Sequence, residues 1–146
     1  MVRVAFVGCG RLGQAYLSCY TSAAFSDCEL VGLVEANSPR LKAVGERFGV
    51  PSGQQFTSTK RMLATVEPEV VVVVTPAKYM HDTIMACTKA PSVKAIQCDK
   101  PLGAVLSEAD EAVAACEASG IVFAGGNLQV AITQLQEAVA VGVKVI

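Results

Sequence analysis

Residues 2–13, VRVAFVGCGRLG, constrain this chain more than any other stretch. Val2, Val4, Ala5, Phe6 and Val7 form a short, almost wholly apolar run, the pattern of a strand covered on both faces in a parallel sheet. Gly8-Cys9-Gly10-Arg11-Leu12-Gly13 follows at once. Leu12, Ala15, Tyr16, Cys19 and Ala23 then recur at helical spacing, which predicts a helix from about Arg11 to Ala23. A G-x-G-x-x-G between a strand and a helix is the arrangement that receives a dinucleotide. Gly8 makes the tight turn, Gly10 lets the backbone approach a pyrophosphate, and Gly13 lets the helix pack closely on the strand. The free amides of the helix's first turn, at the positive end of its dipole, then face the phosphates.

The next apolar run, Glu29–Glu35, reads as a second strand that ends in an acid. Glu35 lies close to the spacing at which a carboxylate accepts hydrogen bonds from the adenosine ribose. A carboxylate there repels a 2′-phosphate, so Glu35 favours NAD over NADP. Ser38 and Arg40, just beyond, are the groups that could take that phosphate instead. Ser38-Pro39 is better read as a helix N-cap followed by proline at the first helical position, and Arg40 stays open. The helix it opens runs from about Pro39 to Phe48 and is closed by Gly49. Residues 50–57 read as loop with a short strand, and 59–66 as a brief helix.

Five consecutive valines, Val70–Val74, cannot face water on either side, which predicts a central strand beside the first one. Thr75-Pro76 ends it on the same rim as the glycine loop. A helix from about Tyr79 to Lys89 carries His81 in its first turn. Val93–Cys98 is a less apolar strand nearer an edge, with Asp99-Lys100-Pro101-Leu102-Gly103 at its carboxyl end. Ser107, with Asp110 three residues on, reads as the cap of a helix reaching about Ala118. Ile121–Ala124 is the sixth strand, followed by Gly125-Gly126-Asn127 and a final amphipathic stretch over 132–141. The whole, residues 1–146, is one α/β domain: a doubly wound parallel sheet of about six strands with helices on both faces.

Charge and cysteine usage narrow the function. A net charge of −1 suggests neither nucleic acid nor an anionic membrane as partner. The hydrophobic share is 52%, yet no run approaches the ~20 residues of a transmembrane helix, and Arg3 with a glycine loop behind it is no signal peptide. The six cysteines are scattered and read as reduced thiols of a cytoplasmic protein. A single histidine, His81, and no cysteines at zinc spacing argue against a metal site.

Five features in order (GCGRLG, Glu35, VVVVTP, DKPLG and GGN) resemble the N-terminal domain of the glucose-fructose oxidoreductase, inositol dehydrogenase and MocA family. The pairing of T-P after the fourth strand with K-P after the fifth is the most specific part. The resemblance implies NAD, or alternatively NADP, lying across Gly8–Gly13 with Glu35 on the ribose and Thr75 and Pro76 beside the nicotinamide half. It implies that Lys100 reaches the nicotinamide and the substrate hydroxyl as the catalytic group. Cys9, Arg11, Leu12, Arg40, His81, Asp99, Pro101 and Asn127 join the cofactor-binding residues. The reaction would be hydride transfer from a sugar, polyol or inositol alcohol, and a lysine ammonium suits it because burial can lower its pKa toward a useful range.

The chain departs from the family pattern in several places. Asp99 stands where the family has glutamate, Ala77 where it often has asparagine, His81 one residue further along than usual, and Gln129 where an arginine is common. Family members continue into a second, substrate-binding domain, which is expected to be absent from these residues. That leaves a separate substrate-domain chain or a homo-oligomer as expected partners, beside the small-molecule substrate. The competing readings are a non-catalytic NAD(P)H sensor or carrier, and an interaction protein built on the old cofactor surface.

Overall fold

The computed structural model describes residues 1–125. Six strands, β1 (Val2–Val7), β2 (Cys28–Val34), β3 (Gln55–Phe56), β4 (Val70–Val73), β5 (Ala95–Cys98) and β6 (Val122–Gly125), alternate with five helices. The helices are α1 (Arg11–Tyr20), α2 (Ser38–Arg47), α3 (Thr59–Val66), α4 (Ala77–Cys87) and α5 (Leu106–Ala118). The strands form one parallel sheet in the order β3-β2-β1-β4-β5-β6. The order reverses between β1 and β4, so every strand's carboxyl end lies on one rim and a crevice opens at that switch point.

Side-chain alternation splits the core in two. Val4, Phe6, Leu33 and Val72 face one way and pack with Leu17 of α1 and Leu41 and Val44 of α2. Ala5, Val7, Val71, Val73, Ile96 and Cys98 face the other way, against Met62, Met80, Ile84, Ala112 and Cys116 of α3, α4 and α5. Val71–Val73 are completely buried, the consequence of helices on both faces. The β1–β2 register slips between Val4 and Ala5, where Ala5 pairs with Gly32. Gly32 faces Met62 and Val66, and even a methyl there would crowd both.

Several helix ends differ from the expectation. α1 stops at Tyr20 rather than Ala23 because Thr21 and Ser22 hydroxyls donate to the carbonyls of Leu17 and Cys19; a 3₁₀ turn, Ala23–Phe25, follows. The N-cap of α2 is Asn37, not Ser38: Asn37 Oδ1 accepts from the Arg40 amide at 2.9 Å, which moves Ser38 and Pro39 inside the first turn. α4 begins at Ala77 with Pro76 as its N-cap, so His81 sits in the second turn rather than the first. Nor does Ser107 cap α5. The helix starts after Val105, and the Glu108 carboxylate reaches back to accept from the Ala104 amide at 2.7 Å. The stretch 132–141 and Asn127 lie outside the described residues. No helix among the described residues is long and apolar enough to cross a membrane.

All six cysteines are free thiols, four of them buried. Burial above all pushes Cys9, Cys87 and Cys98 up to about 12 from an ordinary 9.0. A raised folded-state pKa contributes stability that is present below the unfolded value and lost as pH climbs through the folded one. Urea unfolding is therefore expected to show stability falling progressively from pH 9.0 toward about 12. Under native conditions at neutral pH, the exposed Cys19 is expected to alkylate first while Cys9, Cys87, Cys98 and Cys116 stay protected. Rapid labelling of all six in the folded chain would contradict this.

Backbone packing makes a second prediction. A Cβ at Gly13 would lie 2.0 Å from the Gly8 carbonyl oxygen, whereas one at Gly49 meets nothing among the described residues and strains only a positive φ of 67°. Gly13→Ala is expected to cost about 2 kcal/mol or more by denaturant melts, and Gly49→Ala about 1 kcal/mol. Equal losses would contradict the packing described.

Candidate functional site: a cleft at the switch point

The turn after β1 is shaped by contact with β4. Gly8 adopts φ +102°, and a Cβ there would sit 2.2 Å from the Val74 carbonyl oxygen. Gly13 in turn lies against the Gly8 carbonyl, so β1, β4 and α1 converge on one point. Gly10 differs from both: among the described residues nothing approaches its missing Cβ, and its φ of −68° needs no glycine. The internal structure gives no reason for glycine at this position, whereas a ligand lying against the backbone does. Gly10 is also the N-cap of α1, no side chain caps that end, and no acid occupies its first turn. The amides and the positive end of α1 are left for an anion.

Glu35 sits one residue beyond β2, with its side chain only 11% exposed. Its Oε2 accepts from the Cys9 amide at 3.2 Å and its Oε1 from the Asn37 amide at 2.9 Å. Arg40 approaches Oε2 at 3.4 Å through a half-exposed guanidinium. The main chain therefore fixes the carboxylate, and a carboxylate's ~four lone-pair sites leave room for further hydrogen-bond donors. The Cys9 thiol points into the protein, toward the Val34 carbonyl at 3.6 Å, and the Gln14 side chain donates to the Cys9 carbonyl at 3.2 Å. Cys9 thus contributes its backbone to the site, while burial keeps its sulfur protonated.

These groups open onto one cleft of about 460 Å³ that brings together Gly8, Gly10, Glu35, Arg40, Thr75 and Pro76. Thr57, Thr59, Tyr79 and Thr83 line it as well and were not singled out by sequence reasoning. The signal for them is positional: Thr57 and Thr59 follow β3 on the same rim, and Tyr79 and Thr83 are i, i+4 neighbours just inside α4.

The remaining candidates lie elsewhere. Arg11 and Leu12 are exposed on the first turn of α1, and Gly13 is buried beneath it. His81 does not line the cleft; Nε2 lies 3.1 Å from Glu111 of α5 and Nδ1 3.5 Å from Asp82. Asp99 is only 8% exposed, and its Oδ1 accepts from the Tyr16 hydroxyl at 3.3 Å. Lys100 and Pro101 are exposed immediately after, on the rim that carries the other strand ends. Among the described residues no three His, Cys, Asp or Glu side chains cluster as metal ligands.

The sequence model of an oxidoreductase family with an NAD-binding Rossmann fold matches residues 2–126. A D-apiose dehydrogenase of Paraburkholderia graminis is 31% identical over 117 residues, which are 80% of this chain and 30% of that protein. GenD2 of gentamicin A biosynthesis, solved in complex with NAD, is 26% identical with a TM-score of 0.81, over 96% of this chain and 38% of its own. The WlbA dehydrogenase of Bordetella pertussis, solved with NADH and UDP-GlcNAcA, shares the fold with a TM-score of 0.84 at 23% identity, over 97% of this chain and 43% of that one. The chain thus spans less than half the length of the relatives it matches. It belongs to the glucose-fructose oxidoreductase, inositol dehydrogenase and MocA family of oxidoreductases, as an NAD-binding Rossmann domain.

Proposed function

We propose that the cleft binds NAD in preference to NADP, with the diphosphate on Gly8–Gly13 and the adenosine ribose on Glu35. The observation that carries this reading is the hydrogen bond from the Cys9 amide to Glu35: the acid is built into the same backbone turn that would hold the diphosphate. A fixed negative charge at the ribose position repels a 2′-phosphate, and Arg40 is already turned toward that carboxylate rather than free for one.

The chain's part in catalysis is to bind, orient and polarise. When bound, the nicotinamide supplies a hydride acceptor. Lys100, just beyond β5, is proposed to accept a hydrogen bond from the substrate hydroxyl as the neutral amine and to take its proton, becoming the ammonium, as the hydride leaves carbon for the nicotinamide. The likeness to a D-apiose dehydrogenase supports a sugar or polyol alcohol as substrate. The shorter span relative to those proteins supports a reading in which 1–146 is the dinucleotide-binding unit and further substrate contacts come from another domain or chain.

Titration of NADH and NADPH by fluorescence is expected to show tighter NADH binding. Glu35→Ala is expected to weaken NADH by about tenfold or more, from hydrogen bonds to a charged group, and to leave NADPH weakened less or improved. Equal loss for both would contradict the ribose role. In the assembled enzyme, Lys100→Met is expected to lower turnover of the sugar or polyol by about 10²–10⁴-fold with NADH affinity retained. An unchanged rate would remove Lys100 from the chemistry, and cofactor binding without any turnover would make the protein a dinucleotide carrier or sensor.

A further inference from the structure

Outside the cleft, α1 makes a second set of polar contacts that the cofactor reading leaves unused. The Tyr16 hydroxyl donates to Asp99 Oδ1 at 3.3 Å, and the Tyr20 hydroxyl donates to Gln97 Oε1. Tyr16 and Tyr20 are i, i+4 on one helical stripe, and Gln97 and Asp99 are i, i+2 at the end of β5, hence on one face of the sheet. The spacings match: four helical residues advance about 6 Å and two strand residues about 6.6 Å. α1 runs back from the rim as β5 runs toward it, so the rungs pair in antiparallel order. Two rungs at matched spacing oppose sliding of the helix along the strand.

The positions of these rungs matter. Tyr16 lies three residues after the last glycine of the loop, and Asp99 directly precedes Lys100. Asp99 is 8% exposed, and a buried carboxylate is costly unless it is hydrogen-bonded. The pairing also leaves its mark on the donor, since burial first and the Asp99 charge next raise the Tyr16 pKa and hold the hydroxyl protonated. Stacking of Tyr20 on Phe25 at 4.6 Å, and its edge contact with Phe6 at 5.2 Å, fix the second rung's ring.

We propose that the Tyr16–Asp99 and Tyr20–Gln97 hydrogen bonds are a positioning device that holds the glycine loop of α1 at a set separation from the Lys100 end of β5. A dinucleotide anchored by its diphosphate at one is thereby presented to the other. Tyr16 and Asp99 act through α1 and Lys100 and need touch neither cofactor nor substrate. This rests on the cofactor placement proposed above.

The test compares the full chain's affinity for NADH with that for ADP-ribose, which lacks the nicotinamide. Tyr16→Phe is expected to bind ADP-ribose like the wild type and NADH several-fold to tenfold more weakly. Gln97→Met, which removes the second rung's acceptor, should shift the same ratio in the same direction. Should Tyr16→Phe not fold, the same ratio is read on Tyr20→Phe. Equal weakening of both ligands, or no change in either, would show a merely structural contact and overturn the inference. A wild-type chain that binds neither ligand would instead sink the cofactor reading, and this inference with it.

Discussion

The site depends on a steric constraint: two side chains have to be missing where three elements meet. The Val74 carbonyl occupies the space where Gly8 would carry a Cβ, and the Gly8 carbonyl occupies the corresponding space at Gly13. Backbone oxygen cannot yield as a side chain can, so any larger residue separates β1 from β4 or lifts α1 off the sheet. With both glycines in place, the amides at the start of α1 lie at the point where the strand order reverses. The anion-binding end of a helix and the crevice of the sheet then coincide without any specialised side chain.

Chemical identity is added to this position by β2. Hydrogen bonding of Glu35 to the Cys9 and Asn37 amides means that the acid, the glycine turn and the start of α2 form one polar unit. In the proposed role its carboxylate would need little reorganisation to receive the ribose, and preorganisation of this kind lowers the entropic cost of binding. Gln14 extends the unit by bonding the Cys9 carbonyl and accepting from Arg47 of α2 at 2.9 Å. The loop is thus braced from α1 and α2 as well as from β4.

What was legible in the sequence follows from how local each signal is. The strand–glycine–helix unit, the all-valine strand and the acid after β2 rest on burial periodicity and backbone sterics, and each appears where expected. Cap residues were harder, because neighbours competed for one role. Asn37 and Ser38 can both cap α2, and only the Asn37 geometry reaches the Arg40 amide. At α5 the helix starts one residue before Ser107, and it is the Glu108 carboxylate that reaches back to the Ala104 amide. Long-range polar partners could not be read at all. Nothing in the letters pairs His81 with Glu111, 30 positions apart, or Tyr16 with Asp99, 83 apart. The fold brings those together only after the sheet order is set.

The central claim is that a dinucleotide's diphosphate is held by main-chain amides at the β1–α1 turn. Mapping backbone amide shifts of the labelled chain during titration with NADH tests it most directly. The largest changes are predicted at Gly10, Arg11, Leu12 and Glu35, with the far end of the sheet around Glu67 and Lys89 unaffected. Changes concentrated at that far end, with the glycine turn silent, would contradict the account.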